Sequence, residues 1–258
     1  MHFSYNESAI KRCLMINSNQ RILIILPAYN EQDTILNTIR SLENYLHGSG
    51  EDKINFVDYV VINDGSTDCT EGILLDNQIS HIRLISNLGI GGAVQTGYKY
   101  AKEHSYDIAI QYDGDGQHDP EYLPSILEPV MNGADMCIGS RFIGNASDFK
   151  STAARRAGIK MISWAIRLVT GTKIYDPTSG FRAVGRRIIE EFAEHYPQEY
   201  PEPESIVALL KQGYQLEEVP VRMIERQAGK SSIRAFKTVY YMITVCLSIV
   251  IMGMKKRG

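Results

Sequence analysis

Two carboxylates separated by a single glycine, Asp113 and Asp115, follow the apolar run Ile108–Tyr112 and precede Gly116, Gln117 and His118. Residues i and i+2 of an extended chain point to one face. The spacing therefore predicts that Asp113 and Asp115 converge beyond a strand end, with Gln117 one step further along the same face. Convergent carboxylates repel each other unless a cation lies between them. Oxygen donors of this kind suit a hard divalent ion, Mg2+ or Mn2+, and such ions held by few protein ligands serve phosphate-bearing substrates. A calcium loop shares the first ligand spacing but is excluded: His118 stands where that loop needs glycine, and Pro124 where it needs glutamate. A solvated acidic turn is the reading that asks least of the motif.

The scaffold that must position these groups is legible in the hydrophobic pattern. Strands are expected at Ile22–Leu26, Phe56–Ile62, Ile82–Ile85, Ile108–Tyr112 and Met136–Ile138, with amphipathic helices near Thr34–Leu46, Thr67–Leu75, Gly92–His104 and Glu121–Met131. This alternation predicts an α/β fold with a mostly parallel sheet covered on both faces, which binds ligands beyond the carboxyl ends of its strands. The expected strand ends carry Pro27-Ala-Tyr-Asn-Glu31, Asn63-Asp-Gly-Ser-Thr-Asp68, Asn87-Leu-Gly-Ile-Gly-Gly92 and the acidic motif, so four polar clusters share one edge. Asp64 is placed to accept hydrogen bonds from a nucleobase or ribose, or else belongs to a helix N-cap cluster. The glycine-rich turn around Gly91 can offer backbone N–H groups to an anion. It is not a Walker A loop, because Tyr98-Lys99 follows Gly97.

Beyond Ser151 the pattern gives helices at Ala153–Thr170, Gly185–Ala193 and Glu204–Gln212, a loop over Asp176–Arg182 and a strand at Gln215–Val221. Cations accumulate after the acidic motif (Arg141, Arg155, Arg156, Lys160, Arg182, Arg226, Lys230, Arg234), and arginine forks suit phosphate. The 258 residues suffice for a substantial core, and a net charge of −3 gives no reason to expect nucleic acid as a partner. Four dispersed cysteines argue against both a disulfide scaffold and a zinc site. The histidines show no mutual spacing, and His118 reads as an exposed loop residue. Met1–Gln20 lacks a signal-peptide pattern, so a cytoplasmic location is expected. The uncharged run Thr238–Met254 lies between Lys237 and Lys255-Lys-Arg257. A span needs ~20 residues, and spanning would put these cations on the wrong side. It reads instead as lying in the membrane interface, on anionic headgroups, or as packing in a homo-oligomer, with a buried soluble helix as the alternative.

Taken together, Pro27–Glu31, Asn63–Asp68, Asp113–Gln117, Gly139-Ser-Arg-Phe142 and Asp176–Arg182 resemble family 2 glycosyltransferases of the GT-A fold. Within that family they are most like the dolichyl-phosphate mannosyltransferase and bacterial polyprenyl-phosphate glycosyltransferase branch. The resemblance covers roughly Arg21 to Ile233. It implies a glycosyltransferase domain at 21–233, an N-terminal extension at 1–20 and the apolar, basic-flanked helix at 234–258. It also implies donor contacts from Pro27, Ala28, Tyr29, Glu31 and Asp64, and a metal and donor-phosphate motif of Asp113, Asp115 and Gln117. Arg141, Arg155 and Arg182 fall at phosphate- and acceptor-facing positions, with Arg226 and Lys230 as further cations for that set. Glu204 matches the acidic residue ahead of Gly213-Tyr214.

The expected reaction is inverting transfer of a sugar from a nucleoside diphosphate sugar to a polyprenyl phosphate or lipid-linked saccharide, in cell-surface glycan synthesis at the inner membrane face. Asp115 and Arg141 are then the catalytic groups. If the acceptor were a sugar hydroxyl, a carboxylate must take its proton, and Glu204 and Asp176 are the candidates. Ser232 keeps that second reading open, because it stands where the branch carries lysine. A nucleotidyltransferase or a non-catalytic nucleotide-binding protein are the readings from other classes.

Overall fold

The computed structural model describes residues 20–47, 57–143, 153–223 and 235–254. Arg226, Lys230, Ser232, residues 1–19 of the N-terminal extension and Lys255–Arg257 lie outside the described residues. The strands are β1 (Ile22–Ala28), β2 (Val57–Asn63), β3 (His81–Arg83), β4 (Ile108–Gln111), β5 (Met136–Ser140), β6 (Arg182–Gly185) and β7 (Leu216–Pro220). The helices are α1 (Ile35–His47), α2 (Thr70–Asp76), α3 (Gly89–Glu103), α4 (Leu123–Met131), α5 (Ala153–Thr170), α6 (Arg186–Glu194), α7 (Pro201–Gln212) and α8 (Ala235–Met254).

The strands form one sheet in the order β3-β2-β1-β4-β6-β5-β7. β3, β2, β1 and β4 run parallel, as do β5 and β7, while β6 is antiparallel to both its neighbours. β1 is buried throughout, which explains its unbroken apolar sequence. Ile22, Ile24 and Leu26 pack with α1, α2 and α4 on one face, and Leu23 and Ile25 with α3, α6 and α7 on the other. α3 lies flush on β1, because a Cβ at Gly97 would sit 2.2 Å from Ile25 Cγ2.

The sequence pattern predicts a loop through Arg182 and a helix from Gly185, whereas Arg182–Gly185 form β6 and the helix starts at Arg186. Four residues opening on an arginine show no strand periodicity. They become a strand by pairing on both sides, Gln111 with Arg182 across β4 and Ile138 with Arg182 across β5. Because β6 runs backwards, the segment Asp176–Phe181 enters it from the carboxyl edge of β4, the ligand edge.

α8 joins the main core through Met242, Val245 and Ile249. It runs parallel to α5. A Cβ on Gly158 would touch Met242, and one on Gly253 would touch Val169. Lys211 Nζ donates to the carbonyls of Met252 and Gly253, tying the helix end to α7. Among the described residues no helix is long and apolar enough to cross a membrane.

Candidate active site

The acidic motif starts two residues beyond β4 and is a turn, not extended backbone. Gly116 has φ +75°, and Asp115 Oδ1 accepts the Gln117 N–H at 3.1 Å. The period-two argument for convergence therefore does not apply, because local Asp–backbone bonding and a left-handed glycine replace the strand. The turn is pinned from below. Gly114 N donates to Pro27 O at 3.4 Å, and the Thr38 hydroxyl donates to Gly114 O at 3.2 Å. Asp113, Asp115 and Gln117 are all partly exposed at the ligand edge.

Asp113 has a partner that the sequence reading missed. His118 is buried, contrary to the expectation of an exposed loop histidine, and its Nε2 lies 3.2 Å from Asp113 Oδ2. The imidazole stacks on Phe181 with ring centroids 4.7 Å apart, and the Tyr112 hydroxyl donates to His118 O. Burial alone would raise the Asp113 pKa, but the His118 hydrogen bond and charge, helped by Arg141, hold it below the ordinary value. Asp113 is thus an ionised carboxylate with one oxygen oriented by a buried ring stacked on Phe181. Gly180 closes the pocket, since a Cβ there would lie 2.8 Å from Asp113 Oδ2.

These observations bear on whether a divalent ion fits. Two carboxylates and an amide are hard oxygen donors, and Asp113 is held charged and fixed. Among the described residues no group of three or more His, Cys, Asp or Glu could hold a metal alone. A short donor set of this kind is complete only with substrate phosphate oxygens, the usual situation for Mg2+. The residues fit the ion. His118→Ala should lower Mn2+ affinity by ~10–100-fold, the typical effect of removing a group that orients a metal ligand. Electron paramagnetic resonance of free Mn2+ would measure this, and unchanged affinity in a folded variant would refute the orienting role.

The first two strand ends are laced together. Asn30 N donates to Ser66 Oγ at 3.0 Å, Thr67 N to Asn30 Oδ1 at 2.8 Å and Glu31 N to Thr70 Oγ1 at 3.0 Å. Of the residues read as donor contacts there, only Tyr29 is exposed. Pro27 and Ala28 are buried with their carbonyls accepting from Gly114 and Asp64, so they form the floor. Glu31 accepts the Thr34 hydroxyl at 2.7 Å, at the start of α1. Asp64 is a correction. Its two oxygens accept the N–H groups of Leu88 at 2.8 Å and Gly89 at 2.9 Å, so the carboxylate braces the start of α3. Desolvation raises its pKa against those bonds. Gly91 is likewise turned inward: a Cβ there would lie 2.7 Å from Gln198 Cα and from the carbonyls of Pro197 and Gln198.

Around Asp176–Arg182 several expected roles change. Arg141 and Asp176, 4% and 0% exposed, form a bidentate pair with Nε–Oδ2 and Nη2–Oδ1 both 2.7 Å. Both Asp176 oxygens are therefore committed to Arg141, and Arg141 holds this loop instead of facing open solvent. Arg182 is also buried, donating to Ser179 O at 2.7 Å and Ser205 Oγ at 2.9 Å, so it faces no acceptor. Glu204 accepts the Ser248 hydroxyl and looks toward α8. The acidic residue that does approach the motif is Glu202, unmentioned in the sequence reading. Burial raises its pKa, Arg182 opposes this, and Asp113 adds to it. The Glu202-Pro-Glu204 spacing offered two carboxylates on the first turn of a helix, and only the fold distinguishes them. Arg155 lies near the Arg141–Asp176 pair. Desolvation and Arg141 lower its pKa against the pull of Asp176.

Next to this pair opens a cleft of about 410 Å3. Phe142, Trp164 and Tyr175 line it together with Arg156, Lys160, Arg167 and Lys173.

Comparison with known proteins places this geometry in context. The family model described as Glycosyl transferase family 2 matches residues 23–193. The chain is 27% identical over 251 residues to a UDP-N-acetylglucosamine–dolichyl-phosphate N-acetylglucosaminyltransferase of Methanococcus voltae, covering 88% of this chain and 96% of that one. It is 30% identical over 225 residues to an undecaprenyl-phosphate mannosyltransferase of Micrococcus luteus, covering 83% and 87%. The fold is similar to glucosyl-3-phosphoglycerate synthase of Mycobacterium tuberculosis, crystallised with Mn2+, UDP and phosphoglyceric acid. The TM-score is 0.67 at 19% identity, over 96% of this chain and 84% of that one.

Proposed function

The chain belongs to glycosyl transferase family 2, and from that premise we propose that it moves a sugar, with inversion, from a nucleoside diphosphate sugar to the phosphate of a polyprenyl phosphate. The observation that carries the choice of acceptor is the state of the two carboxylates read as bases. Asp176 is locked to Arg141, and Glu204 is bonded to Ser248. A hydroxyl acceptor needs a base, whereas a phosphate oxygen is already ionised near neutral pH. The cleft supports the same reading. Four cations beside aromatic walls suit an anionic headgroup on an apolar tail. The relatives named for dolichyl and undecaprenyl phosphate agree with it.

Asp113, Asp115 and Gln117 would hold a divalent ion, which when bound offsets the charge that develops on the leaving diphosphate. The protein's own groups do the rest. His118 keeps Asp113 oriented, Tyr29 is the exposed side chain at the donor edge, and Arg155 with the cleft cations holds the acceptor phosphate against the donor's negative charge.

Glu202 favours a second reading, transfer to a sugar hydroxyl, because a half-buried carboxylate near Asp113 with a raised pKa suits a general base. Both readings meet in one experiment. With polyprenyl phosphate and a panel of nucleotide sugars, the wild type should form a single lipid-phosphate-sugar and release nucleoside diphosphate. Glu202→Gln should keep transfer within about tenfold of wild type, short of the ~100–10,000-fold typical of losing a general base. A drop in that larger range would count against transfer without a base, and a product on a sugar hydroxyl would establish the second reading.

A further inference from the structure

We infer that α5 and α8 together form a docking face that lays the protein on an anionic lipid bilayer with both helices in the plane of the membrane. The two helices are parallel and close along their length, with Gly158 against Met242 at one end and Val169 against Gly253 at the other. Their outward sides carry large apolar residues in helical register. Trp164 (64% exposed) and Leu168 (66%) lie on α5, and Leu247 (57%) and Ile251 (58%) on α8. Four large apolar side chains, each more than half exposed on one helix pair, mark an interaction surface.

Charge selects the occupant. Neither helix contains an aspartate or glutamate, while Arg156, Lys160 and Arg167 are exposed on α5. The whole chain has a net charge of −3, so a helix pair with basic residues and no carboxylate stands out against the rest. A second copy of the chain pairing through this face would bring two cationic rims together. Anionic headgroups over an acyl layer complement both features at once, and tryptophan is the side chain that favours that boundary. The cleft beside Trp164 is also lined by Phe142 and Tyr175, which adjoin Arg141 and Asp176 in sequence. A docked protein would receive a lipid-borne acceptor at the membrane. The inference deepens the polyprenyl phosphate reading, but its test uses neither donor nor acceptor, so either can fail alone.

Trp164 is the sole tryptophan of the chain, which makes its emission a native probe. The full chain is titrated with phosphatidylcholine vesicles with and without phosphatidylglycerol. Only the anionic vesicles should shift Trp164 emission to the blue, with co-sedimentation and with quenching by brominated acyl chains. The charge reversal Lys160→Glu/Arg167→Glu should reduce partitioning by at least ~25-fold, on the basis of roughly five-fold per cation. Three results would overturn the inference: no shift with anionic vesicles, partitioning unaffected by charge reversal, or a blue shift that grows with protein concentration in the absence of lipid, the mark of self-association.

Discussion

A chain carrying both Asp113→Asn and Asp115→Asn should lose at least ~100-fold in kcat/KM for sugar transfer and most of its Mn2+ affinity, while remaining folded. The amide is close in shape to the carboxylate. The amide oxygen introduced at position 115 can still accept the Gln117 N–H, and the one at position 113 can still accept from His118, so the turn survives while its charge is removed. Nucleoside diphosphate release measures the rate, Mn2+ titration the site, and urea unfolding the fold. The lowered Asp113 pKa fixes the sign of the stability difference. A depressed carboxyl stabilises the folded state above its unfolded pKa, and that contribution fades as pH falls through the folded value. The variant should therefore be slightly less stable than wild type at neutral pH, and the gap should close below pH ~4. Full activity in the folded double variant would remove the metal from the mechanism.

The largest expected loss of stability comes from Arg141→Ala. Asp176 is 0% exposed, and its two oxygens meet Arg141 Nε and Nη2 at 2.7 Å. Removing the guanidinium strands a carboxylate out of water, which should destabilise by about 3–5 kcal/mol. The pair also anchors the segment that delivers Gly180 to Asp113, so activity should fall with it. A double-mutant cycle with Asp176→Asn tests the assignment, because neutralising the stranded acid should recover part of the loss. Coupling of roughly 1–3 kcal/mol is expected from urea unfolding, and strict additivity would contradict a desolvated ion pair.

The range of the forces involved decides how much of the site was legible in the sequence. The four polar strand ends, the acidic motif among them, are local. Hydrophobic periodicity places the strands, and the residues just after each strand then lie at the ligand edge. Roles that depend on which distant group arrives first were not legible. Asp64 looks free in sequence, but the N-terminus of α3 comes to it. Arg182 looks like a phosphate fork, but β6 carries it inside, against Ser205. His118 has no sequence neighbour that reports the stacking of Phe181, and Glu202 differs from Glu204 only by the side of α7 on which it falls. β6 itself is defined by its partners rather than by its own composition.

The backward course of β6 also governs the order in which the molecule can assemble. Gln111 is paired on one side by β1, early in the chain, and on the other by Arg182, a long stretch later. At ~5–20 residues per second of synthesis, β4 leaves the ribosome several seconds before the strand that covers its outer edge. Throughout that interval it presents open N–H and C=O groups, a template for pairing with another nascent chain. Contacts this distant also close slowly in an intact chain. The half of the sheet built from β1 to β4 can thus reach its shape before the last wall of the pocket arrives, and the vulnerable period for aggregation is the emergence of residues 112 to 182.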